Sequence, residues 1–314
     1  MRRRMMLAGA LAAGVAGRAT AAGGMAIVVN SGDATLSLLD TVRGTELRRI
    51  PVLREPHHLV LSPSGRDLLV GDAGGNEMLF LDPVTGEIRR RVPVADPYQL
   101  GFSPDARLLV VTGLARNQVD VLDASTMALV HRFPIGSMPS HLAYAPDSSV
   151  VYVTLQGTNR VGAFDLRRMV PLWTAEVGST PAGIIWHGSR LLVANMGSDH
   201  FAVVDPTDGR VERRVRTGRG CHQIFPSPDK RTLWVNNRVD GTTVAVDAGS
   251  LTPGRSYKLG GGPDCIEFAA DGRLWVTLRF AQKVALLDPA SGAVDTIPVG
   301  RSPHGIFLTA GARA

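Results

Sequence analysis

Five of the eight histidines lie at equivalent places in the sequence: directly after a proline or its replacement, or one position further on. They are His57, His58, His141, His222 and His304. Imidazole can bind a metal ion, donate or accept a hydrogen bond, and change its charge near neutral pH. Randomly scattered histidines would not gather at one place in a pattern, so we interpret these five as candidate functional residues.

The pattern that carries them is an internal repeat of about 41 residues. Its clearest marker is an aspartate that ends an apolar run, as in TLSLLD and KVALLD, and that recurs at intervals of 42, 41, 42, 40, 42 and 41 residues. The seven aspartates are Asp40, Asp82, Asp123, Asp165, Asp205, Asp247 and Asp288. Apolar alternation before each aspartate predicts a strand with one buried face. The aspartate predicts a tight turn, because its side chain can accept hydrogen bonds from the backbone that follows.

Three further strand-like segments accompany each aspartate, which gives four strands per unit and about 28 strands in all. Antiparallel four-stranded units repeated radially form a β-propeller, and amphipathic helices, which a helical solenoid would need, are not seen. We therefore predict an all-β, seven-bladed propeller as a single domain over residues 23–314. The repeat is out of phase with the chain ends, so the segment from Pro303 should complete the blade begun by Ala26–Asn30.

The repeats resemble the YVTN-type, YncE-like β-propeller family over essentially the whole chain after its first residues. Four motifs carry the resemblance: Pro303-His304-Gly305-Ile306, Ser227-Pro228-Asp229, Val151-Tyr152-Val153-Thr154 and Val244-Ala245-Val246-Asp247. The resemblance implies the fold but no single function. Similar propellers include proteins that bind single-stranded DNA, surface proteins, and relatives of the cytochrome d1 and methylamine dehydrogenase propellers.

In a propeller, the inner strand of each blade begins at the mouth of the central channel, so the five histidines should form part of a ring there. The same two positions in the other blades add Tyr98, Gln99 and Asp264. Three interpretations remain open: polar residues at a wet surface, a site for a small molecule or cofactor, and a metal site with His57, His222 and His304 as weak candidates. HxH and HExxH spacings, which would favour a metal, are absent.

Arginines in the loops near this mouth predict a positive rim suited to a carboxylate or phosphate. Each one alone would be an ordinary solvated charge. The seven are Arg54, Arg116, Arg160, Arg219, Arg238, Arg279 and Arg301.

The two cysteines, Cys221 and Cys265, fall near the starts of neighbouring inner strands. They could form a disulfide, remain as buried thiols, or form a thiolate site with His222 and Asp264. The sequence contains no CxxCH motif, which excludes covalent c-type haem attachment, and no GxSxG, Walker or GxGxxG motif that would indicate a familiar enzyme class.

The first 22 residues have the character of an export signal. Arg2, Arg3 and Arg4 precede the small, apolar stretch Met5–Gly17, and Ala19-Thr20-Ala21 fits a cleavage site. The consecutive arginines resemble a twin-arginine signal, with the general secretion route as the alternative. Cleavage would remove four arginines and reduce the net charge from +6 to 6 − 4 = +2, so the basic balance does not indicate a nucleic-acid partner.

These observations predict an exported binding or scaffold protein, periplasmic or secreted and monomeric, with no membrane anchor after cleavage. Its partner would be a small anionic ligand or a periplasmic protein. Single-stranded DNA is a candidate partner by family resemblance alone. The alternative is an enzyme or cofactor-handling protein: a lactone hydrolase, a lyase, or an accessory to metal- or tetrapyrrole-linked oxidation. We expect binding rather than catalysis, and the sequence assigns no particular cofactor.

Overall fold

The computed structural model describes residues 24–309, which form seven four-stranded antiparallel sheets arranged as blades. The inner strand of every blade contacts the inner strands of both neighbouring blades, so the blades close into a ring around a channel. The predicted seven-bladed propeller is confirmed. The predicted signal, residues 1–22, lies outside the described residues.

Each blade contributes one strand to each of four layers. The inner strands are β4 (Pro56–Leu61), β8 (Gln99–Phe102), β12 (Pro139–Tyr144), β16 (Pro181–His187), β20 (Cys221–Pro226), β24 (Pro263–Phe268) and β28 (Pro303–Leu308). The second strands are β1 (Met25–Asn30), β5 (Leu68–Asp72), β9 (Leu108–Gly113), β13 (Val150–Leu155), β17 (Arg190–Asn195), β21 (Thr232–Asn237) and β25 (Leu274–Leu278).

The third strands are β2 (Thr35–Asp40), β6 (Glu77–Leu81), β10 (Gln118–Asp123), β14 (Arg160–Asp165), β18 (His200–Val204), β22 (Thr242–Asp247) and β26 (Lys283–Leu287). The outer strands are β3 (Thr45–Pro51), β7 (Ile88–Pro93), β11 (Leu129–Pro134), β15 (Val170–Glu176), β19 (Val211–Arg216), β23 (Pro253–Lys258) and β27 (Val294–Pro298). Within residues 24–309 the single helical element is a 3₁₀ turn, Gln156–Thr158. No helix in this part of the chain has the length and apolar character needed to cross a bilayer.

The hydrophobic core lies between neighbouring blades, so the two middle strands of a blade are buried on both faces. In β1, Ala26 and Val28 pack towards the last blade, whereas Ile27 and Val29 pack against β5 and β6 of the next blade. The third strands, for which the sequence predicted one buried face, are covered in the same way, because the leucines of β2 are divided between the same two core clusters. That prediction was therefore wrong, since a neighbouring sheet covers each face. Exposed residues dominate the outer strands, as in β7.

The repeated aspartate ends the third strand and organises the turn that follows. In all seven blades its Oδ1 accepts a backbone N–H two or three residues further on, such as that of Val42 on Asp40 at 2.8 Å. These bonds satisfy backbone donors at a sharp reversal, which explains why this residue type marks the register.

The ring is closed by strands from the two ends of the described chain. β28 pairs antiparallel with β1, with Phe307 opposite Ile27 and Ile306 opposite Val28. Beyond the strands, the Thr309 N–H donates to the Met25 carbonyl at 2.8 Å. The first blade therefore consists of β28, β1, β2 and β3, as the phase of the repeat predicted.

Candidate functional site

The five histidines converge at one end of the channel and are buried together. Their exposed fractions are 6% or less, and Asp264 is completely buried among them. The ring centroids of His57 and His304 lie 3.9 Å apart, those of His58 and His304 4.4 Å, and those of His141 and His222 5.6 Å. The structure thus brings the predicted ring together as a packed imidazole cluster rather than as a wet rim. We call His57, His58, His141, His222 and His304 the histidine cluster.

A bulge at the start of the inner strand explains how adjacent residues can both reach the channel. Regular strand side chains alternate between opposite faces. The pairing of β4 with β5 slips between Pro56 and Leu59, and a comparable slip occurs at the starts of β12, β16, β20 and β24. A bulge redirects the side chains it contains. His57 and His58 can therefore belong to the same cluster.

Buried side chains of the second strands fix these bulged segments and join them to the next blade. Thr277 receives the Cys265 N–H at 2.9 Å and donates to the His304 carbonyl at 2.7 Å. Asn236 donates in the same way to the Asp264 carbonyl at 2.9 Å. Thr112 and Thr154 occupy the corresponding places in two other blades. Sequence reasoning missed these positioning residues, although their recurrence near the end of the second strand is a detectable signal.

Asp264 is the buried anion of the site and has two guanidinium partners. Nη2 of Arg238 donates to its Oδ2 at 2.6 Å, and Nη1 of Arg279 lies 3.6 Å from the same oxygen. Oδ1 faces His222 Nδ1 at 3.1 Å and His304 Nε2 at 3.5 Å. The carboxylate therefore links the two arginines to the histidine cluster.

The other predicted rim arginines do not reach this site. Arg54, Arg116 and Arg160 are exposed. Arg219 pairs with Asp240 at 2.8 Å, and Arg301 pairs with Asp33 at 2.5 Å. The predicted rim thus reduces to Arg238 and Arg279, the first loop residues after β21 and β25.

Burial keeps the histidine cluster neutral. It lowers the pKa of His57, His58, His222 and His304 well below the usual value of 6.5, and the positive charges of Arg238 and Arg279 lower it further. For His141, burial lowers the pKa to about 3. Neutral imidazole keeps a lone pair on one nitrogen and a proton on the other. At neutral pH the cluster can therefore accept hydrogen bonds or bind a metal ion.

Many polar atoms of the site lack a hydrogen-bond partner. Within the described residues, each of the five cluster histidines has a buried ring nitrogen without a hydrogen-bond partner. The same is true of Asp264 Oδ1, Arg238 Nε and Arg279 Nη1. Buried polar groups in proteins are almost always satisfied. This end of the channel therefore concentrates buried polar atoms that are free to donate or accept hydrogen bonds.

Tyr98 and Gln99, two residues of the predicted ring, make different kinds of contact. Tyr98 stacks on His57, with ring centroids 3.9 Å apart, and burial raises the pKa of its hydroxyl to about 12, so it stays a hydrogen-bond donor. The Gln99 side-chain oxygen instead accepts the Leu142 N–H at 2.9 Å and joins β8 to β12. Gln99 therefore holds two blades together at its position in the predicted ring.

The cysteines are separate, buried thiols in the structure. Cys221 Sγ lies 3.6 Å from Thr217 Oγ1, whereas Cys265 Sγ lies 3.7 Å from His304 Nδ1. Burial raises the pKa of the Cys221 thiol to about 12 and that of Cys265 well above its usual value. The arrangement favours thiols over thiolates, so Cys265 contacts the histidine cluster as a neutral group.

Replacing Asp264 with alanine should destabilise the protein strongly, by about 3–5 kcal/mol, because both guanidinium groups would remain near the buried cluster without their carboxylate. Chemical denaturation at pH 7.5 measures the effect. Asp271→Ala is the matched control, since its ion pair with Arg273 is on the surface and should contribute about 1 kcal/mol or less. A loss of less than 1 kcal/mol for Asp264→Ala would contradict this account of the site.

The family of the chain follows from comparison with known proteins. The family model described as a YNCE-like beta-propeller matches residues 5–313. The chain belongs to this family. No curated protein matches the sequence of this YNCE-like propeller.

Solved structures with similar folds come from proteins of different function. A protein of unknown function from Desulfotomaculum acetoxidans has a TM-score of 0.78 at 14% identity, covering 90% of this chain and 98% of its own. The periplasmic gluconolactonase PpgL of Pseudomonas aeruginosa has a TM-score of 0.72 at 20% identity, covering 92% and 99%. Dihydro-heme d1 dehydrogenase NirN, solved in complex with DHE, has a TM-score of 0.67 at 15% identity, covering 90% and 74%. For this YNCE-like propeller, similarity at such identities establishes the fold alone.

Proposed function

We propose that this YNCE-like propeller is an exported protein that binds a small anionic molecule, a carboxylate or a phosphate, at the histidine end of its channel. The observation that carries the proposal is an imbalance of charge. Asp264 contributes −1, while Arg238 and Arg279 contribute +2, and both guanidinium groups approach its one carboxylate. With the histidine cluster neutral, the site has a net charge of −1 + 2 = +1.

An anion would balance this charge and satisfy donors that have no partner. Nε of Arg238 and Nη1 of Arg279 are buried and have no hydrogen-bond partner, although Nη1 lies 3.6 Å from Asp264. A guanidinium group can hold a carboxylate or phosphate through two parallel hydrogen bonds. The arginines are also the accessible part of the site, with side chains 13% and 21% exposed. A ligand arriving from solvent would therefore meet them before the histidine cluster.

Export is the second element of the proposal and rests on the N-terminal sequence. The basic start, the apolar stretch and the small-x-small site follow one another in the order of a secretory signal. A periplasmic location also agrees with that of the structurally similar gluconolactonase PpgL, which is described as periplasmic. Fractionation of cells that express the full chain tests this element. Recovery in the cytoplasm with residues 1–22 still attached would contradict it.

Arg279→Met should weaken anion binding about tenfold or more, because a hydrogen bond to a charged group contributes about 1.5–3 kcal/mol. Calorimetric titration with inorganic phosphate and with citrate measures the affinity. Arg219→Met is the matched control, since that arginine is exposed and has its own partner, Asp240. The proposal fails if neither anion binds, or if both variants reduce the affinity equally.

A further inference from the structure

We propose that His57, His58 and His304 form a binding site for one divalent late first-row transition-metal ion, in the range from Co²⁺ to Zn²⁺. The three residues come from two blades, with His57 and His58 in β4 and His304 in β28. The inference is independent of anion binding, because it rests on the imidazole nitrogens rather than on the guanidinium groups.

The geometry brings one nitrogen from each ring close to the other two. These nitrogens all lie within 4.8 Å of one another, and each of the three side chains is buried. Nitrogens on a tetrahedral zinc ion lie about 3.3 Å apart, so nitrogens at the 4.8 Å limit would have to approach one another by about 1.5 Å. A buried nitrogen on each ring has no hydrogen-bond partner, so this movement breaks no such bond there.

The chemistry of the donors selects the class of ion. Imidazole suits cobalt, nickel, copper and zinc, whereas calcium and magnesium prefer oxygen ligands. A metal-binding histidine must be neutral, and burial keeps the pKa of all three well below 6.5. The second nitrogen of His304 has Cys265 Sγ as a neighbour at 3.7 Å, in the position of an outer-shell partner that orients the ring.

A second group, His222, Asp264 and His304, also brings three potential ligand atoms within the same distance. Asp264, however, already holds Arg238 at 2.6 Å, and a metal there would have to displace a guanidinium group. His304 belongs to both groups, so a single ion can use it. These facts favour the three-histidine group, and they predict one ion per chain.

Three neutral ligands leave a fourth position open, as in catalytic rather than structural zinc sites. The nearby guanidinium groups oppose a bare dication, so the ion should bind more tightly when an anion occupies that position. If the proposed anion site is correct, metal and anion should therefore strengthen each other's binding, and each affinity should rise by the same factor.

The test uses the full protein without a polyhistidine tag, treated with a chelator and then titrated with Co²⁺ and Zn²⁺. We expect one equivalent to bind, with the visible absorption of four-coordinate Co²⁺. Loss of an outer-shell partner alone weakens metal sites about 10–100-fold, so loss of a ligand in His58→Ala should weaken binding at least about 100-fold. His131→Ala, whose ring packs on Phe133 outside the cluster, is the matched control and should bind normally.

Binding of less than 0.1 equivalent, or equal affinity in His58→Ala and His131→Ala, would overturn the proposal. If His58→Ala does not fold, X-ray absorption of the zinc-loaded parent protein decides, since fewer than three imidazole ligands would also overturn it. The anion-binding proposal and the metal-binding proposal can each fail without the other. Arg279→Met should weaken phosphate binding while retaining Co²⁺ binding in phosphate-free buffer, whereas His58→Ala should lose Co²⁺ binding.

Discussion

Lowering the pH of the metal-free protein from 7.5 to 5.5 should reduce its free energy of unfolding by about 5 kcal/mol. The folded protein holds all five cluster histidines neutral, because burial lowers their pKa values well below 6.5. The unfolded chain binds protons at those histidines as the pH falls through 6.5. Because the unfolded state binds more protons than the folded state, the free energy of unfolding rises with pH and falls when acid is added.

The magnitude follows from linkage. One pH unit below 6.5, each unfolded histidine is stabilised by about 1.4 kcal/mol relative to a folded one that cannot accept the proton. Five such residues give about 7 kcal/mol. Glu267 offsets about 2 kcal/mol of this, because burial raises its pKa to about 7 and its folded form takes up a proton over the same range. The remaining loss is comparable to the entire stability of a marginal domain. The loss of stability should begin as the pH falls through 6.5. Well above that pH, the histidines should not lower the free energy of unfolding. We therefore expect unfolding, or opening of the channel mouth, between about pH 6 and 5.

Denaturation curves at several pH values, recorded with a chelator present, measure this dependence. His58→Gln removes one of the five groups and should reduce the loss of stability by about 1.4 kcal/mol, and His131→Gln, outside the cluster, is the control substitution. Stability that stays constant between pH 7.5 and 5.5 would show that the histidines are not buried as described. An unchanged slope in His58→Gln would show that other groups titrate.

Ending the chain before Pro303 should abolish cooperative folding of the whole propeller. The truncation removes β28, so β1 loses its partner and presents an unpaired edge. It also removes Ile306 from the core shared with Trp275, Ala26 and Val28. Because each blade is stabilised by its two neighbours, the opening cannot remain local. We expect thermal denaturation without a single sharp transition, and precipitation on heating.

A circular permutant supplies the control for this truncation. Joining the chain ends through a flexible linker and starting the chain in the exposed segment before Pro56 keeps all 28 strands and makes every blade continuous. Its transition should remain cooperative. If the truncated chain also unfolded cooperatively, or if the permutant failed to fold, ring closure by β28 would not be the decisive contact.

The repeat made the ring predictable, because backbone position in a propeller follows from register alone. That is why the sequence located His57, His141 and His304 at one channel end. Their burial was not predictable in the same way, since it depends on how closely seven inner strands approach. At Gly183 of β16, an added Cβ would lie 2.7 Å from Cα of Gln223, which shows how tight that approach is.

The arginines show where sequence reasoning reached its limit. Loop side chains point in directions that depend on their place in the loop, and the prediction treated all loop arginines alike. Arg238 and Arg279 follow their second strands directly and turn towards Asp264. Arg116 lies later in its loop, where Leu114 takes the first place. Alignment of the loops by position would have separated the two cases.

The contribution of β28 to the histidine cluster also orders events in time. His304 belongs to the last strand of the described chain, yet its ring lies against His57 and His58 of the second blade. A ribosome-bound chain that has not yet released this strand lacks one wall of the cluster. A ligand held there would therefore be captured only after this strand has emerged from the ribosome and has paired with β1.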